Sequence, residues 1–171
     1  MEVLQLLVLI ALYAVPMYIA NATPILIHGT KPLDFGKSLG KERVLGKGKS
    51  ILGTLAGICC GSLAGLLVLL AFSETIVPLI QNYFALAILL AAGAIFGDLV
   101  KSFLKRRIGI KSGQRWLIAD QWDFVLGAFA LSLVARAPEV EVFVIILLAT
   151  LFIHVATNFA AFKLKLKSVP W

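Results

Sequence analysis

The chain is poor in the residues that build most soluble catalytic sites. Of 171 residues only nine are acidic, two are histidine and two are cysteine. Cys59 and Cys60 are adjacent within an apolar run, so they match no metal-ligand spacing and cannot form an ordinary inter-element disulfide with each other. They read as small buried residues. Without a His/Cys cluster nothing argues for zinc. No acidic or Gly/Ser-rich linker divides the chain, which is expected to be one domain, 1–171. The opening Met1-Glu2-Val3-Leu4 lacks a basic n-region and runs into a long apolar segment, so it reads as a retained span rather than a signal peptide.

What is present is apolar surface. Hydrophobic residues make up 60% of the chain and the mean hydropathy is +0.97, against roughly 45–50% apolar residues in soluble domains. An all-α integral membrane protein is expected. A spanning helix needs about 20 residues to cross ~30 Å of hydrocarbon, and five segments qualify: 3–20, 50–72, 79–104, 116–135 and 140–162. With five crossings, fifteen of the sixteen Lys and Arg residues fall on one side and only Arg136 falls opposite. The positive-inside rule then puts the N-terminus outside and the C-terminus in the cytoplasm of a multi-pass cell-membrane protein. Attraction to anionic headgroups accounts for Lys163, Lys165 and Lys167, so no nucleic-acid partner is called for.

That explanation does not cover bases interleaved with embedded acids. The charge-free part of the fourth segment, residues 124–135, is about 18 Å long and too short to span. It reaches adequate length only by including Asp120 and Asp123. The third segment likewise needs the turns carrying Asp98 and Lys101. A carboxylate inside a span costs a few kcal/mol and is expected to face a bundle interior or a wet cavity. All three aspartates therefore belong one or two turns inside the cytoplasmic face.

Spacing adds detail. Asp98, Lys101, Ser102 and Lys105 lie at i, i+3, i+4 and i+7 and form one helical stripe. A purely structural pairing of Asp98 with Lys101 remains open. Asp120 and Asp123 share another helical face, where both ionise readily only beside a cation. Hard oxygen donors suit Mg²⁺, or Mn²⁺ in its place, with one ion or two. The segment Leu45-Gly46-Lys47-Gly48-Lys49-Ser50 opens the second span. It lacks the P-loop spacing, yet glycines, a helix N-terminus and Lys47 and Lys49 suit a triphosphate cradle. Asn21 and Thr23, in the stretch closing the first helix, are expected to border the site. Gly53, Gly57, Gly61 and Gly65 predict close helix packing within the bundle, or second, a homodimer interface. His154, Thr150, Thr157 and Asn158 share a face of the last span and suggest interhelical hydrogen bonds.

Lys105-Arg106-x4-Lys111 followed by Asp120-x-x-Asp123 resembles the signature of the CDP-diacylglycerol synthase family of cytidylyltransferases. The small size, five spans and the LGKGKS and GDLVKSFLKRR stretches resemble its archaeal, ether-lipid branch over essentially the whole chain. Ser112 replaces an Asp of the bacterial-type motif, residues 114–119 replace a His-Gly-Gly stretch, and Gln121 replaces an Arg. The resemblance implies that Asp98, Asp120 and Asp123 bind Mg²⁺ and act in catalysis with Lys105. It also implies phosphate contacts for Lys105, Arg106 and Lys111, to which the reading of the loop, the first helix end and the Asp98 stripe adds Asn21, Lys47, Lys49, Ser50 and Lys101 as nucleotide-binding residues. The implied substrates are CTP and 2,3-bis-O-geranylgeranylglycerol 1-phosphate, and the implied products CDP-archaeol and pyrophosphate. Two other readings stay open, a polyprenol kinase or glycerol-phosphate acyltransferase, and a transporter subunit. The outer halves of the spans carry almost no ionisable group, which argues against a transport path.

Overall fold

The computed structural model describes residues 2–40, 42–112, 114–166 and 169. Of the basic residues noted above, Lys41 and Lys167 lie outside them. The order of elements is α1 (Val3–Leu26), a two-stranded hairpin of β1 (Ser38–Leu39) and β2 (Glu42–Arg43), α2 (Ile51–Ala71), α3 (Ser73–Leu79), α4 (Tyr83–Arg107), α5 (Ala119–Ser132) and α6 (Val140–Lys163). Among the described residues four helices, α1, α2, α4 and α6, are long and apolar enough to cross a membrane. Many large apolar side chains, such as Leu67, Leu70 and Phe152, point outward. That surface suits hydrocarbon rather than water.

The helices differ from their expected bounds in three places. α1 continues six residues beyond Ala20 because Thr23 returns its hydroxyl to the Ile19 carbonyl at 2.7 Å, so its polar end need not leave the helix. The short α3 precedes the third long helix, which begins at Tyr83 rather than at residue 79. α5 has 14 residues, about 21 Å, and is three residues shorter at each end than the segment 116–135. At its C-terminal end the chain tightens into a turn in which the Arg136 amide donates to the Ser132 carbonyl at 2.7 Å.

α4 is the central helix, packed against α1, α2 and α5. Its Leu86, Ala87, Leu90, Ala91 and Ala94 are fully buried with Leu12, Tyr13 and Met17 of α1 and Phe124, Val125 and Ala128 of α5. Pro16 has no amide to offer the carbonyl four residues earlier, and that carbonyl, of Leu12, accepts the Tyr83 hydroxyl at 3.0 Å. The backbone group orphaned by proline thus becomes a bond between α1 and α4. Tyr18 and Thr150 join α1 to α6 at 2.6 Å, and Trp122 Nε1 donates to the Leu147 carbonyl, joining α5 to α6.

Glycines set the two closest approaches. Gly53, Gly57, Gly61 and Gly65 are the buried residues of α2, and they face inward, so that stripe is not a free homodimer surface. A Cβ on Gly61 would stand 2.6 Å from the Pro16 carbonyl oxygen and 2.8 Å from the Ala91 methyl. Cys59, two residues from that stripe, is exposed rather than buried as expected, because it projects from the opposite side of the helix. Between α4 and α5, Gly93 and Gly97 lie against Gly127, and a Cβ on Gly97 would strike the Asp123 carbonyl oxygen.

Candidate active site

The close approach at Gly97 and Gly127 decides the local chemistry. Asp98 follows Gly97 on α4, while Asp120 and Asp123 occupy the first turns of α5, so backbone contact draws three carboxylates together. They converge on one ammonium. Lys101 Nζ lies 2.7 Å from Asp123 Oδ2, 3.1 Å from Asp120 Oδ1 and 3.3 Å from Asp98 Oδ1. Lys49 pairs with Asp98. Lys105 donates to both oxygens of Asp120, at 2.9 and 3.0 Å, and to the Gln114 carbonyl at 2.6 Å. The two carboxylates of α5 are also fixed by backbone: Asp120 accepts the Trp116 amide at 2.6 Å and Asp123 the Phe124 amide at 2.7 Å.

These groups line a cavity of about 380 Å³ at one end of the bundle. Eight of the eleven expected site residues line it: Asn21, Lys49, Asp98, Lys101, Lys105, Arg106, Asp120 and Asp123. The stripe of Asp98, Lys101, Ser102 and Lys105 enters it whole. Arg106 is 7% exposed, and its Nε and Nη1 are buried without a hydrogen-bond partner. Such orphaned donors are costly without an acceptor, and a guanidinium in this setting fits an anionic oxygen ligand.

Three expected residues stand elsewhere. Ser50 caps α2, accepting the amides of Gly53 at 3.1 Å and Gly29 at 3.0 Å, which occupies its hydroxyl. Lys47 and Lys111 are exposed and are not among the lining residues. Thr23 spends its hydroxyl inside α1. Conversely, His154 and Asn158 of α6 line the cavity, while the contacts expected of that face include the Thr150 bond to Tyr18 and the His154 ring stacked on Phe124 of α5. The signal was available: both lie on the Thr150 stripe, one and two turns nearer the basic end. Ser112 and Gln114 also line it, from a stretch with no helical periodicity to place it.

The loop that brings Lys49 inward is tied down by a buried acid. Asp34 pairs with Arg43 and accepts the amides of Gly36 and Leu45, each at 3.1 Å. Arg107, beyond the cavity, donates to the carbonyls of Leu39 at 2.7 Å and Arg43 at 3.1 Å, clipping the hairpin to the end of α4. Gly46, at φ +89°, turns the chain past Arg106. A bulkier residue would be strained there.

The donor types suit a hard divalent ion: the acids are three carboxylates from two helices, and among the described residues no sulfur joins them in the lining, where the one imidazole is that of His154. Among the described residues no three acidic, His or Cys side chains are placed so as to hold a metal ion; the three carboxylates meet around the Lys101 ammonium.

Apolar space adjoins this charged cavity. A second cavity of about 310 Å³ between α1 and α6 shares Asn21, Ile25, His154 and Asn158 with it and is otherwise lined by residues such as Tyr18, Ile19 and Phe124.

The chain matches the family model described as CarS-like, CDP-archaeol synthase, over residues 3–171. It is 38% identical over 166 residues to the CDP-archaeol synthase of Methanocaldococcus jannaschii, covering 93% of this chain and 94% of that one. The CDP-archaeol synthase of Aeropyrum pernix is 42% identical over 160 residues, covering 91% and 87%. A solved structure, described as an intramembrane enzyme for archaeal membrane lipid biosynthesis, superposes with a TM-score of 0.77 at 39% identity, covering 86% of this chain and 91% of that one. An all-helical membrane protein with this sequence along its whole length belongs to the CDP-archaeol synthase family.

Proposed function

We propose that the chain transfers the cytidylyl group of CTP to an isoprenoid ether-lipid phosphate, 2,3-bis-O-geranylgeranylglycerol 1-phosphate, giving CDP-archaeol and pyrophosphate. The observation that carries this reading is the meeting of Asp98, Asp120 and Asp123 with Lys49, Lys101, Lys105 and the unpartnered Arg106 in one cavity. Acids that hold a divalent ion and bases that hold phosphate are the parts phosphoryl-type transfer requires.

In the reaction an oxygen of the lipid phosphate forms a bond to the α-phosphorus of CTP while the α–β phosphoanhydride bond breaks and pyrophosphate leaves. A phosphate monoester, with a second pKa near 6, is largely dianionic at neutral pH. Its oxygen therefore needs no general base, which agrees with a site built from Asp, Lys and Arg. Asp98, Asp120 and Asp123 would hold Mg²⁺, or Mn²⁺ in its place, which supplies charge neutralisation at the phosphate oxygens. Arg106, Lys105 and Lys49 orient the triphosphate and offset its charge, Asn21 borders it, and Lys47 and Lys111, exposed outside the cavity lining, would contact phosphate only by turning toward it on their flexible stems. The apolar cavity between α1 and α6 leads an acyl-free, branched chain away from the charged centre.

Five crossings, with the N-terminus outside and the cavity facing the cytoplasm of a cell-membrane protein, complete the reading. Arg136 supports this topology. Just beyond α5 it donates to the Leu79 carbonyl at 2.8 Å, at the end of the bundle where α4 begins. α5 starts at the opposite end, in the cavity, so with its flanking turns it traverses the layer despite its 14 residues.

The test is to incubate the purified protein with Mg²⁺, labelled CTP or ATP, and phosphorylated or unphosphorylated prenyl-glycerol lipid. Pyrophosphate and a CDP-lipid are expected from CTP and the phosphorylated lipid alone. Transfer of the γ-phosphoryl group from the nucleoside triphosphate to the unphosphorylated lipid, leaving a nucleoside diphosphate and a lipid phosphate, would instead identify a kinase and remove the reading.

A further inference from the structure

We infer that Lys101 is a resident cation that occupies the centre of the three carboxylates until nucleotide phosphate draws it away, so that the divalent ion enters with CTP and not before it. The inference rests on the cytidylyltransferase reading and adds an order of events to it.

An ammonium has three N–H donors. Lys101 Nζ has one oxygen of each carboxylate within ion-pair distance, at 2.7, 3.1 and 3.3 Å. Lys105 is equally committed, to the two oxygens of Asp120 and the Gln114 carbonyl, and Lys49 is paired with Asp98. Three ammonium groups thus balance three carboxylates, and the centre is formally neutral as it stands. A divalent ion added alone would have to sit among three ammonium groups in a low-dielectric setting, where like-charge repulsion is strong. It would also find its ligand oxygens already occupied.

A triphosphate changes both conditions. Its negative oxygens offer the lysines new acceptors, and a lysine stem is flexible enough to turn toward them. Arg106 differs from the three lysines in having two buried nitrogens without partners, so it can engage phosphate before any carboxylate bond is broken. Once the lysines follow, Asp98, Asp120 and Asp123 are released to the ion that accompanies the nucleotide. A purely structural Lys101 would stabilise the fold but would not make metal affinity depend on nucleotide.

The experiment measures Mn²⁺ binding to purified protein by electron paramagnetic resonance, with and without CTP and no lipid, against protein-free titrations. For wild type, Mn²⁺ affinity at least tenfold tighter with CTP is expected. Lys101→Met should bind Mn²⁺ without CTP at least tenfold more tightly than wild type, with a rise in melting temperature on adding Mn²⁺ alone. Lys101→Gln serves the same purpose where the Met variant does not fold. Equal wild-type affinity with and without CTP would overturn the inference, as would unchanged affinity in the Lys101 variants. Pyrophosphate release by wild type, assayed alongside with lipid phosphate, separates the two levels: its absence sinks the cytidylyltransferase reading itself, while its presence with nucleotide-independent Mn²⁺ binding sinks the exchange alone.

Discussion

Gly97 lies so close to Asp123 that a Cβ on the glycine would strike the Asp123 backbone carbonyl. The contact sets how near α5 comes to α4, and with it the distance between Asp98 and the Asp120 and Asp123 pair. Overpacking of this kind typically costs about 1–3 kcal/mol. Gly97→Ala should lower the melting temperature and, by spreading the carboxylates, reduce cytidylyl transfer more than it affects folding. Gly48→Ala is the control, since no atom of the described residues lies within 4 Å of its added Cβ. Its melting temperature should match wild type.

Arg106 has two buried nitrogens with no hydrogen-bond partner among the described residues, an arrangement that suits an anion. Arg106→Met removes two buried, unpartnered nitrogens, so stability should hold or rise while KM for CTP increases. A binding loss equivalent to about 1.5–3 kcal/mol is the usual scale for a hydrogen bond to a charged group. Steady-state kinetics with paired melting curves check both halves.

Asp34 gives a pH dependence whose sign is set. Burial alone would raise its pKa, but the bond from Arg43, the amides of Leu45 and Gly36, and the Arg43 charge outweigh burial and hold the carboxyl below its ordinary value. The folded pKa is therefore below the unfolded one, about 3.9. The stabilisation is complete above the unfolded value and is lost as pH falls through the folded one. The melting-temperature gap between wild type and Asp34→Asn should stay level near neutrality and close in acid. A gap unchanged down to the acid limit would contradict this assignment.

Arg136 should prove structural. It donates to the Leu79 carbonyl at 2.8 Å and to Glu139 Oε1 at 2.5 Å, far from the cavity. Its side chain is partly exposed, so Arg136→Ala should cost only about 1 kcal/mol. KM for CTP should not change, as melting curves and kinetics on one preparation will show.

The three aspartates and the basic stripe of α4 were legible in the sequence because hydrocarbon penalises charge and α-helical spacing puts i, i+3, i+4 and i+7 on one face. The glycines of α2 were legible for a related reason, since small residues every four positions mark a packing face. The pairing of Gly97 with Gly127 was not, because it depends on where two helices meet and not on the period of either. Ser50 shows a competing demand: its place in a Gly/Lys loop suggested phosphate binding, and in the structure its hydroxyl oxygen caps α2. His154 was legible as a helix-contact residue, and its ring does stack on Phe124 of α5; that it and Asn158 also line the cavity was not, because sequence alone does not tell a packed stripe from one that opens onto a cavity.

The most direct test of the central claim is Mg²⁺-dependent release of pyrophosphate from CTP, with lipid phosphate present, by Asp120→Asn and Asp123→Asn beside wild type. Both variants should stay folded by melting curve and helical signal, and both should lose turnover. Wild-type turnover in either folded variant would contradict the assignment of these carboxylates to the metal and nucleotide chemistry.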